Sequence, residues 1–228
     1  IGTADTQYLA AVGDGNPTNL QYSWTNYSSG SPGITNAVQN LPQDTFPPVP
    51  ATQEWFSISS VNTSSIIMSV KRAADINTPL QYFFTNLISG ATSGWQTGTI
   101  WTNGNLQENT KYDFQAKARD ALGNSNSYSV ITGKYTRIAP PTGVALTPGL
   151  LSMELRADGS LSNLASGMSG VRFAYSNDTY VNNWPETYWP QTNAVIVTNL
   201  APDAKYGFKA QTRNGDGIET NFCSVTSC

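Results

Sequence analysis

Asn105-Leu106-Gln107-Glu108-Asn109-Thr110-Lys111-Tyr112-Asp113-Phe114-Gln115-Ala116-Lys117-Ala118-Arg119 returns, ninety-four residues on, as Asn199-Leu200-Ala201-Pro202-Asp203-Ala204-Lys205-Tyr206-Gly207-Phe208-Lys209-Ala210-Gln211-Thr212-Arg213. In the first copy Tyr112, Phe114, Ala116 and Ala118 alternate with polar neighbours, and in the second Tyr206, Phe208 and Ala210 do the same. A period of two with one apolar face is the pattern of a half-buried β-strand. Recurrence at about the length of a small β domain predicts tandem modules, and such arrays more often build, space or present something than catalyse.

A leucine stands six residues before each tyrosine, with turn-forming residues between. Leu106 with Tyr112, and Leu200 with Tyr206, therefore suit a tyrosine corner, in which the phenol packs inward and its hydroxyl bonds a backbone group upstream. Each strand ends in a Gly- and Asn-containing stretch, Asp120-Ala121-Leu122-Gly123-Asn124 or Asn214-Gly215-Asp216-Gly217, that reads as a hairpin turn. Upstream, Ile66–Val70 and Leu151–Leu155 suit one strand of each module, while Leu80–Phe84 and Val171–Tyr175 suit the next.

The pattern Leu-x-x-x-x-x-Tyr-x-Phe-x-Ala-x-x-Arg, followed by a Gly-containing turn and a Ser- or Thr-rich last strand, resembles the fibronectin type III family over Val49 to Cys228. Many members carry a Trp in strand B. Here Trp95 and Trp189 lie beyond strand C instead, a variant similar to that of bacterial or archaeal surface and secreted proteins. The resemblance implies an all-β chain of tandem immunoglobulin-like β-sandwiches. Modules are expected at 49–137 and 138–228, after a partial or divergent β module at 1–48. Pro140-Pro141 separates the full modules and Phe46-Pro47-Pro48-Val49-Pro50 precedes the first, so each begins after a stiff, extended segment and a rod-like arrangement is expected.

The opening residues hold a third, broken copy. Leu20-Gln21-Tyr22 with Thr25-Asn26 and Ser29-Gly30 mirrors Leu80-Gln81-Tyr82 with Thr85-Asn86 and Ser89-Gly90, and Asn40-Leu41 with Thr45 mirrors Asn105-Leu106 with Thr110. Where the full modules continue into Tyr-x-Phe, this copy meets Phe46-Pro47-Pro48, and proline is excluded from a paired central strand. Its missing strands could come from a neighbouring subunit by β-strand addition, it could pack on the first full module, or it could form a smaller sheet of its own.

The chain carries 12% charged residues and a net charge of -3, with no block of like charge, which argues against nucleic acid and anionic membrane as partners. No apolar run is long enough for a membrane span, and Ile1 reads as a processed or trimmed end. The chain has no His, so the commonest general base is missing. The acidic residues read as scattered, with Asp14, Asp75, Asp120 and Asp216 in turns. No catalytic residue, cofactor or metal site is expected. Cys223 and Cys228 suit a terminal disulfide staple, with free thiols as the alternative.

Trp184, Tyr188 and Trp189 form an aromatic group with two readings, core or inter-module packing and a platform for sugar rings. Asn26, Asn62 and Asn177 open sequons for N-glycosylation. Together these features predict a non-enzymatic extracellular or cell-surface structural protein, a subunit or spacer of a surface layer, appendage or filament. Self-association with neighbouring subunits and contact with surface glycans are the partners expected of it. The alternative is a carbohydrate-binding or spacer portion of a secreted polysaccharide-degrading enzyme.

Overall fold

The computed structural model describes residues 44–177 and 184–227, together with the backbone of two short strands, β1 (Ala10–Val12) and β2 (Gln21–Ser23). Every regular element among the described residues is a strand. The first sandwich contains β3 (Trp55–Asn62), β4 (Ser65–Val70), β5 (Gln81–Asn86), β6 (Ile100–Asn103), β7 (Lys111–Arg119) and β8 (Thr132–Tyr135). One antiparallel sheet has the order β3-β4-β6 and the other β5-β7-β8.

The second sandwich repeats the plan with β9 (Gly143–Pro148), β10 (Ser152–Asp158), β11 (Gly170–Asn177), β12 (Ala194–Thr198), β13 (Tyr206–Arg213) and β14 (Thr226–Ser227). Its sheets run β9-β10-β12 and β11-β13-β14. In the lettering of immunoglobulin-like folds this is A-B-E over C-F-G in both sandwiches, so the fold is a tandem pair of fibronectin type III-like β-sandwiches.

The repeated stretch forms strand F of each sandwich, centred in its sheet. Tyr112, Phe114, Ala116 and Ala118 point into the first core beside Ile66, Met68 and Val70 of β4 and Tyr82 and Phe84 of β5. Tyr206, Phe208 and Ala210 take the same places among Leu155, Val171 and Phe173. Two tryptophans fill out the first core from outside the repeat. Trp55 of β3 and Trp101 of β6 flank Phe84 at ring separations of 6.2 and 6.1 Å, and Trp101 meets Phe114 edge-on at 6.4 Å. The tryptophans of this core thus come from strands A and E.

Strand C of each sandwich is covered on its outer edge by an irregular segment. Tyr82 and Gln96 exchange backbone hydrogen bonds, and Val171, Phe173 and Tyr175 bond Pro190, Thr187 and Pro185. This segment carries Trp95 in the first sandwich and Trp184 and Trp189 in the second.

In the third copy β2 pairs antiparallel with β1, Ala11 lying opposite Tyr22. The corresponding Gln81-Tyr82 strand, β5, pairs with strand F instead. Among the described residues the broken copy therefore has a two-stranded sheet of its own.

Candidate functional site: the joint between the sandwiches and the aromatic face

The loop from strand E to strand F opens the repeat, and its shape follows from two asparagines. Asn105 and Asn109 have φ of 57° and 46°, a region that Asn enters more readily than most L-residues. The Tyr112 hydroxyl accepts the Gln107 N–H at 2.9 Å and ties this loop to the core; Tyr206 accepts the Ala201 N–H at the same distance in the second sandwich. Thr136 donates to the Gln107 carbonyl at 2.7 Å and fixes the loop against the end of β8.

So held, Asn109 is the centre of the joint between the sandwiches. Its side chain is fully buried. Its Nδ2 donates to the Ser162 and Asn163 carbonyls and to Ser169 Oγ, each at 3.0 Å, and its Oδ1 accepts the Gly215 N–H at 2.9 Å. The second sandwich answers with its B–C and F–G loops. Asn163 Nδ2 donates to the Glu108 carbonyl and Thr110 Oγ1, and buried Asn214 donates to the Thr136 carbonyl. Asp216 accepts the Tyr135 N–H at 3.1 Å and pairs with Lys134 at 3.2 Å. Gly215 cannot carry a side chain here, because a Cβ would stand 2.3 Å from the Tyr135 ring. Buried amides satisfied on every side give an oriented joint, since any rotation strands several polar groups at once.

The B–C and F–G end of the first sandwich, opposite its Asn109 loop, receives the segment before it. Asp120 and Asn214 occupy equivalent positions, and each side-chain Oδ1 accepts the N–H groups two and four residues on. Against this turn sits Asp44. Asn124 Nδ2 donates to the Asp44 carbonyl at 2.9 Å, and Asn77 Nδ2 donates to the Asp44 carboxylate. In the alignment of the copies Asp44 is the residue before Thr45, as Asn109 is the residue before Thr110.

Asp44, Asp75 and Asp120 bring one carboxylate oxygen each within 4.8 Å of one another. The acidic residues are therefore not scattered at this end, because the B–C and F–G loops converge on the incoming segment. Asp75 accepts the Asn77 N–H and Asp120 accepts from Asn124, so the turn roles read from the sequence hold within the cluster. Three hard oxygens could contribute to a divalent cation site. Their hydrogen bonds to Asn77, Asn124 and neighbouring N–H groups already engage all three side chains.

The outer face of each C-F-G sheet carries stacked rings and cations. In the first sandwich the Arg119 guanidinium lies 4.1 Å from the Trp95 ring, Phe83 packs against that ring tilted by 47° at 5.2 Å, and Lys117 reaches Tyr128 at 4.8 Å. In the second, Arg172 and Arg213 both lie 4.6 Å from Trp189, and Lys209 lies between Trp184 at 4.3 Å and Phe222 at 4.6 Å. The Nε atoms of Arg172 and Arg213 are buried without a hydrogen-bond acceptor among the described residues. The electron-rich indole face beside them offers partial compensation. Arg172 also pairs with Glu186 at 2.8 Å and Glu219 at 3.2 Å.

Of the aromatic group named from the sequence, Trp184 and Trp189 are half-buried beside cations, and Tyr188 stands 77% exposed between them in the chain. Asn62 closes the β3–β4 hairpin, where its Oδ1 accepts the Ser64 N–H at 2.8 Å, and Asn177 ends β11 at the surface. Asn26 and Cys228 lie outside the described residues. Cys223 is half-buried against the second core, and its sulfur accepts the Ala210 N–H at 3.3 Å. Its pairing with Cys228 involves a residue outside those described.

The joint residues Asp44, Asn109, Asn163 and Asn214 were not singled out from the sequence. One signal was available for the first two: Asn or Asp recurs before the strand-F position in all three copies, at Asp44, Asn109 and Asp203.

Solved structures similar to the chain include the two-domain fibronectin type III segment from chicken tenascin. It is 13% identical, the match covers 80% of this chain and 98% of that one, and the TM-score is 0.45. No protein-family model matches the sequence, and no curated protein matches it. The fold assignment accordingly rests on strand order and register, not on kinship.

Proposed function

We propose that this protein is a non-enzymatic extracellular structural protein, a subunit or spacer of a cell-surface layer, appendage or filament. The observation that carries the reading is the joint around Asn109, whose buried amide ties the two sandwiches in one orientation. A spacer needs defined geometry between its modules, and a hydrogen-bonded joint supplies it at little cost in exposed apolar surface. The low charge and the fibronectin type III-like fold favour an exterior location. Attachment to neighbours by β-strand addition belongs to this reading, supported by the missing Tyr-x-Phe strand in the third copy.

Nitrogen-15 relaxation of the full chain tests the geometry. The expected result is one rotational correlation time for strands of both sandwiches; two independent times would refute a spacer of fixed shape. Electron microscopy of concentrated protein tests assembly, with ordered arrays expected.

The row of Trp184, Tyr188 and Trp189 favours a second reading, a carbohydrate-binding or spacer portion of a secreted polysaccharide-degrading enzyme. Exposed Tyr188, between two half-buried indoles along the chain, is the specific observation. Retention of the chain on insoluble polysaccharide, lost in Trp184→Ala with the fold intact, would favour it over the first.

A further inference from the structure

The docking loop occurs once more, with nothing seated on it among the described residues. Asn199 and Asp203 have φ of 60° and 53°, matching Asn105 and Asn109, and the Tyr206 corner holds the loop as the Tyr112 corner holds its counterpart. Residues 201–205 are exposed throughout. The far end of the second sandwich thus presents a preformed copy of the element that seats the second sandwich on the first.

We infer that this Asn199–Asp203 loop is a self-association site, and that its occupant is the first-sandwich end of a second copy of this chain. The inference rests on the structural reading above and names a surface, besides strand addition, through which copies join. The choice of end follows from donors and acceptors. Asn109 can dock on the second sandwich because its amide donates to the Ser162 and Asn163 carbonyls. Asp203 has no such protons when ionised, and those carbonyls would repel its carboxylate. The first-sandwich end offers donors, the Nδ2 groups of Asn77 and Asn124, which already hold the carboxylate and the carbonyl of Asp44 although Asp75 and Asp120 stand beside it. Asp203 therefore fits the socket that Asp44 fills within its own chain. Lys205, exposed two residues on, adds positive charge facing an end that carries Asp75 and Asp120.

Asp44 and Asp203 then compete for one socket. The tethered Asp44 holds it at an effective concentration on the order of millimolar, so the intact chain joins head to tail only when crowded. Sedimentation velocity of the full-length chain across a dilution series tests this, with tryptophan fluorescence confirming the fold of each variant. Asp44→Ala is expected to lower the concentration for self-association by at least about tenfold, and adding Asp203→Ala is expected to abolish the gain. Lys205→Glu in the Asp44→Ala background is expected to weaken association, more so at low salt. An Asp44→Ala chain that stays monomeric over the series would overturn the proposal, as would association indifferent to Asp203 and Lys205. The latter outcome would leave the spacer reading standing, because relaxation of the monomer tests that separately.

Discussion

Asn109→Ala removes the amide at the centre of the joint without touching either core. The substitution deletes bonds to the Ser162 and Asn163 carbonyls and to Ser169, and leaves the Gly215 N–H without its acceptor. A buried polar group stripped of its partner costs about 1–3 kcal/mol. The φ of 46° adds about 1 kcal/mol for an alanine forced into the left-handed region. Water entering the vacated space recovers part of the first figure. The lost hydrogen bonds weaken the coupling between the sandwiches by about 1–3 kcal/mol, while the strain falls on the first sandwich alone, because the loop keeps its shape undocked. Asn109→Gly separates the two contributions, because glycine keeps the backbone and loses only the hydrogen bonds. Scanning calorimetry should show one coupled transition in the parent chain resolving into two in both variants, and small-angle scattering should show a broader distribution of dimensions. If Asn109→Gly leaves the calorimetric trace and the scattering profile unchanged, the joint is not held by this amide and the reasoning is wrong.

Tyr112→Phe and Tyr206→Phe each strand one backbone N–H, of Gln107 or Ala201, and should cost about 1–2 kcal/mol apiece in urea titrations, the repeat providing its own control. Phe114→Ala empties a fully buried position in strand F and should destabilise the first sandwich by about 3–5 kcal/mol, read from the loss of the Trp55 and Trp101 fluorescence transition before that of the second sandwich. Trp189→Ala uncovers both Arg172 and Arg213 and should lower the melting temperature of the second sandwich by the equivalent of about 1–2 kcal/mol, more than Tyr188→Ala does, since Tyr188 is largely exposed.

Strand F and its corner were legible because both are local. Alternation in Lys111–Arg119 reports one buried face, and a tyrosine at fixed spacing from a leucine reports the hydrogen bond that returns to its own loop. The core tryptophans were harder to place, since Trp55 and Trp101 come from edge strands without a clean period. Arg119 and Arg213 read as solvent-facing positions of strand F. They do face away from the core, yet each is covered by an indole delivered from a loop that alternation does not describe. The joint was least legible. Asn109, Asn163 and Asn214 have ordinary turn chemistry as a sufficient local explanation, and nothing in a local pattern says which two loops meet.

The exposed loop at Asn199–Asp203 explains how a joint of this kind can be economical. It has the same backbone conformation as the docked loop at Asn105–Asn109, so the shape does not depend on a seated partner. Its tyrosine corner and its left-handed asparagine supply that shape from within each module. Little conformational entropy is then lost on docking, and affinity is decided by the side chain at the last position of the loop. An amide there suits an end lined with carbonyls, as Asn109 meets Ser162 and Asn163; a carboxylate needs amide donors, as Asp44 finds in Asn77 and Asn124 beside Asp75 and Asp120. On the proposal above, exchange of one atom, N for O, redirects the loop from one end to the other. Asn109→Asp should therefore loosen the joint at least as much as Asn109→Gly, although aspartate is the closer match in size, because it sets an anion against two carbonyl oxygens.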